Sequence, residues 1–63
     1  MLTVYKMIKE IPTGANIEFY TINRNMKRGK LISYDNSTGR AQIEINGTIE
    51  MFGFDIAEEV FTE

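Results

Sequence analysis

At 63 residues the chain has room for one domain, 1–63, whose core alone supplies about 3–5 kcal/mol net. It holds no cysteine and no histidine, so neither a disulfide nor a zinc site of thiolate or imidazole can brace it. Three tyrosines, four phenylalanines and 43% apolar content argue against disorder, while a net charge of -2 opposes a purely electrostatic nucleic-acid binder.

The first residues show no charged stretch ahead of a long apolar run, so no signal peptide is expected. No apolar stretch nears the ~20 residues of a membrane span, so no membrane partner is expected. The expected compartment is the cytosol. Nine isoleucines against two leucines, with five asparagines, suggest an AT-rich coding genome such as many phages and low-GC bacteria have.

The single proline, in Pro12-Thr13-Gly14, separates an N-terminal arm (1–11) from a β-rich body (14–62). In the arm, Val4, Met7, Ile8 and Ile11 match helical spacing, whereas the β-branched and aromatic residues favour a strand. The arm is therefore read as a short helix or strand, leaning to helix. After Gly14 the apolar pattern turns to period two. Ile17, Phe19 and Thr21 share one face of a strand, with Glu18, Tyr20 and Ile22 on the other. Asn23-Arg24-Asn25 is a polar turn, and a second strand runs from about Met26 to Asp35.

Leu31 and Ile32 are adjacent and both apolar, which a sharply bent strand would explain. Asp35 to Gly39 reads as a five-residue turn, and Arg40 to Glu44 alternates cleanly with Ala41 and Ile43 inward. For the next hairpin, keeping apolar residues on one face favours a three-residue loop, Ile45-Asn46-Gly47. That register pairs Ile43 with Ile49, Ala41 with Met51 and Arg40 with Phe52. Asp55-Ile56-Ala57-Glu58 reads as one capped helical turn, and Val60-Phe61-Thr62 as a short closing strand.

The expected fold is mainly β: a small five-stranded antiparallel barrel or strongly bent sheet, with a one-turn helix before the last strand. This order of elements, with Gly29, Gly39 and Gly47, resembles the SH3-like small barrel over about residues 14–62. The resemblance implies a binding or assembly role, on nucleic acid or on protein, and singles out no residue. The chain has no tryptophan, so the proline-peptide surface of true SH3 domains is not expected.

Catalytic inventory is thin. Without cysteine or histidine there is no nucleophile–imidazole pair, and the glycines match no phosphate-binding loop. Glu44 and Glu50, on adjoining strands, form an acid pair that reads far better as a solvated sheet face. No enzyme activity, cofactor or metal site is expected. Two surfaces remain. Arg24, Lys27, Arg28 and Lys30, with Tyr20 nearby, form a basic hairpin that could meet phosphates and stack on bases. Under the favoured register, Tyr34, Arg40 and Phe52 share an outward face with the composition of a protein-binding hot spot; the competing reading is that Phe52 is core and Met51 faces outward, or that the arm covers this face. The leading reading is an accessory or regulatory protein acting through protein–protein contact, as inhibitor, adaptor or subunit. A nucleic-acid-binding barrel is the alternative, and a homo-oligomer is a third reading.

Overall fold

The computed structural model describes residues 4–63. The period-two pattern after Gly14 becomes strand β2 (Asn16–Tyr20), with Ile17 and Phe19 buried and Tyr20 exposed. β1 is Val4–Met7, β3 is Met26–Asp35, β4 is Arg40–Ile45, β5 is Thr48–Gly53 and β6 is Glu59–Thr62. All pairs are antiparallel and form one sheet in the order β1-β6-β2-β3-β4-β5. The fold is thus mainly β, as the sequence predicts, with six strands among the described residues rather than five.

A flat six-stranded sheet would be about 24 Å wide and only about 10 Å thick. Extents of 28 × 24 × 24 Å show that this sheet curls on itself. β1 and β5 do not meet, so the curl stops short of a barrel. Part of the bend comes from the register shift between Leu31 and Ser33 in β3. There Leu31 is fully buried and Ile32 half-buried, which accounts for the two adjacent apolar residues. The concave face holds the core: Ile8, Ile11, Ile17, Phe19, Leu31, Ala41, Ile43, Phe54 and Val60. Thr62 is buried among them, and its hydroxyl donates to the Asn16 carbonyl at 3.0 Å.

Four local expectations give way to competing physics. Among the described residues of the arm, 4–11, there is no α-helix: β1 pairs with β6, and Ile8–Glu10 makes one 3-10 turn that drops Ile8 into the core, while residues 1–3 of the arm lie outside the described residues. Residues 55–58 form a β-turn, closed by the Glu58 amide on the Asp55 carbonyl at 2.9 Å. Glu58 does reach back to the Asp55 amide (3.2 Å) as a capping-box glutamate does, but no helix follows, because Glu59 at once enters β6.

The third correction is the β4–β5 register. The loop has two residues, Asn46 (φ 52) and Gly47 (φ 82), both left-handed as a type I′ turn requires. Ile43 therefore faces Glu50 and Ala41 faces Phe52, while Arg40 lies opposite Gly53. Asp35 pairs with Arg40, which leaves four turn residues between β3 and β4 instead of five.

Candidate protein interface

These registers decide which candidate residues can act together. Tyr34 and Phe52 both lie opposite Ala41, on the concave side, whereas Arg40 is on the convex side with Asp35 and Gly53. The Tyr34/Arg40/Phe52 face is therefore not formed. Tyr34 packs against the core, and its hydroxyl donates to the Phe54 carbonyl at 3.2 Å. Phe52 meets Phe19 edge-on at 4.9 Å. Glu44 and Glu50 likewise separate, since Glu44 pairs with Ile49 and Glu50 with Ile43, on opposite faces.

The basic hairpin divides too. Along β3, Lys27 lies opposite buried Phe19, while Arg28 and Lys30 lie opposite Glu18 and Asn16 on the convex face. Arg28 is held by the Glu18 carboxylate at 2.8 and 3.1 Å. Tyr20 shares that face with Met26, Arg28 and Lys30. Arg24 sits apart at the tip of the loop, which Thr21 and Asn25 close through an amide–carbonyl bond of 2.9 Å. This is the hairpin with a three-residue loop, Ile22-Asn23-Arg24, and Arg24 takes the left-handed position (φ 63) usually given to glycine.

Beside that tip lies a feature that the sequence reading missed. A groove of about 620 Å³ runs between the β2–β3 loop and the C-terminal end of β5. Tyr20, Ile22, Met51 and Phe52 wall it, Phe19 and Phe54 lie at its base, and Glu58 supplies a charge. Phe54 meets Phe19 edge-on at 5.2 Å, so the base is rigid aromatic packing. Ile22 stands almost wholly in solvent at 97% exposure, and Met51 and Tyr20 are more than half exposed. The available signal is an isoleucine beside the polar run Asn23-Arg24-Asn25, which period-two alternation hides as the end of a strand.

A smaller groove, about 220 Å³, opens where β2 and β6 part after two paired residues. Tyr5, Tyr20 and Phe61 flank it with Glu18, Glu58 and Glu59, and Tyr5 lies 4.7 Å from Phe61 between ring centres. In the β3–β4 turn, Asp35 accepts from the Ser37 hydroxyl (2.7 Å) and amide (2.9 Å). These bonds, the hydroxyl's first, hold its carboxyl below the ordinary 3.8. Among the described residues no three acids cluster as a metal site would need, and no helix is long and apolar enough to cross a membrane. No family model, curated protein or solved structure matches the chain.

Proposed function

We propose that the protein is a small accessory or regulatory binding protein that acts in the cytosol through protein–protein contact, as inhibitor, adaptor or subunit. The observation that carries this reading is the Ile22 tip beside a groove with an aromatic base. A fully exposed isoleucine gains nothing from folding, and an arginine in left-handed backbone costs about 1 kcal/mol. An apolar side chain left in water and a strained backbone at one hairpin tip fit a site kept for contact. A partner would bury Ile22, Met51 and Tyr20 together, and the edge-packed phenylalanines would give it a preformed base.

The test is capture from the source cytosol with wild type and Ile22→Glu side by side. A partner held by wild type and lost with the variant, both having the same circular dichroism, supports the groove. An unchanged set of captured proteins would remove it. The nucleic-acid reading retains one observation, the shared convex face of Tyr20, Arg28 and Lys30. It requires binding of short DNA or RNA at ~50 mM salt that weakens as salt rises.

A further inference from the structure

β1 and β5 are the two ends of the sheet, and among the described residues neither has a second strand beside it. Each carries one charge: Lys6 in β1 and Glu50 in β5. Lys6 lies opposite buried Val60 and Glu50 opposite buried Ile43, so both charges sit on the concave side of their edge. The convex side carries Tyr5 and Met7 on one edge, Ile49 and Met51 on the other. Tyr5, Ile49 and Met51 are more than half exposed.

The backbone sets a second condition. The Ile8 amide donates to the Glu58 carbonyl at 2.9 Å, and antiparallel ladders alternate inward and outward residues. Val4 and Lys6 therefore bond toward β6, and Tyr5 and Met7 direct their N–H and C=O groups away from it. On the other edge the Phe54 amide donates to the Gly39 carbonyl, in phase with the β4–β5 ladder. By the same alternation Ile49 and Met51 direct theirs outward. In antiparallel pairing, outward residues must face outward residues. Three alignments of the two edges meet that condition, and only one sets Lys6 against Glu50.

We propose that β1 of one copy pairs antiparallel with β5 of a second copy, with Val4 opposite Phe52, Tyr5 opposite Met51, Lys6 opposite Glu50 and Met7 opposite Ile49. Every apolar residue then meets an apolar residue, and the two charges meet each other. Like edges fit worse. β5 against β5 sets Glu50 against itself or against Phe52 in its longer alignments and against Thr48, or outside the ladder, in its three-residue ones, never against a base; β1 against β1 sets Lys6 against itself or against Val4. A parallel alignment puts outward Met51 beside Lys6, which mixes the two faces. The contact is head-to-tail, so it builds rings or short filaments rather than a two-fold dimer. A four-residue ladder buries less than a stable interface needs, so the assembly is weak and depends on concentration.

Sedimentation velocity from about 10 µM to about 1 mM tests this, a range that spans weak association. Wild type should sediment faster as concentration rises. K6E leaves two acids and E50K two lysines on the facing edges, so each alone should associate at least about tenfold more weakly. Mixed one to one, the two variants have complementary edges at every junction and should assemble again. Both substituted side chains are exposed, and unchanged circular dichroism shows that the fold is kept. Met51 belongs to both this edge and the groove, so I22E separates the two surfaces and should assemble like wild type. A wild type that stays monomeric overturns the proposal. So does either charge variant that assembles normally, a mixture that fails to recover, or an I22E protein that no longer assembles.

Discussion

Replacing Gly29 by alanine should destabilise the sheet by forcing β3 away from β4. Gly29 faces Ile17 of β2 across one ladder, and at this point β3 lies close against β4. A Cβ here would sit 2.5 Å from the Glu44 carbonyl oxygen, 2.7 Å from Ile43 Cγ2 and 2.9 Å from Ile45 Cγ1. The first neighbour is backbone and the second belongs to a fully buried side chain, so neither can swing clear. Relief to about 3.4 Å would pull β3 from β4 beside the Lys30–Glu44 and Leu31–Ile43 pairs. Overpacking of this kind costs about 3 kcal/mol, and the loss of glycine's backbone freedom returns about 0.5–1 kcal/mol. The net loss of about 2 kcal/mol is roughly half the stability available to so small a domain. At about 4–8 °C per kcal/mol, the melting temperature should fall by roughly 8–16 °C. Thermal and urea unfolding followed by circular dichroism measure this directly. Gly53→Ala is the internal control, because nothing lies within 4 Å of its Cβ position. A Gly29→Ala protein that melts at or above wild type would refute the argument.

Gly47→Ala should lose about 1 kcal/mol in the same melts, since Gly47 holds φ 82 in the β4–β5 turn. Arg24→Gly should gain about as much by relieving the left-handed tip; if it also lowers partner capture, the strain belongs to the binding surface. Asp35 should titrate below 3.8 by NMR, and Ser37→Ala should move it up by removing the hydroxyl bond. Its folded-state value is depressed, so its contribution is complete above the unfolded value and fades as pH falls through the folded one.

The sequence was most legible where one face of a strand is buried. Ile17 and Phe19 in β2, and Ala41 and Ile43 in β4, sort cleanly because their neighbours on both sides are strands. The β4–β5 register failed under the same rule because β5 is an edge. Ile49, Glu50 and Met51 are all exposed, so neither face of β5 demanded the apolar set. With that force absent, the turn chemistry of Asn46-Gly47 decided the register. The arm failed for a related reason. Its strand half is held by Glu59–Thr62, some fifty residues away, and helical spacing within ten residues carries no trace of that partner.

The candidate sites divide along the same lines. Arg24, Lys27, Arg28 and Lys30 are crowded in sequence, yet a strand sends alternate residues to opposite faces, and Arg28, the arginine within β3, already has an acid partner. Crowding on a strand therefore overstates a patch; on a helix a four-residue interval would have kept Arg24 and Arg28 together. Lys6 and Glu50 make the opposite case. They are isolated in sequence and belong to strands at opposite ends of the sheet, so nothing local links them. The parity of each ladder nevertheless puts both charges on one face, and both sets of unbonded backbone groups in phase. Those are the two conditions that one edge must meet to receive another. In an open sheet, then, the pair of residues best placed to meet across copies is the pair that a reading along the chain is least equipped to join.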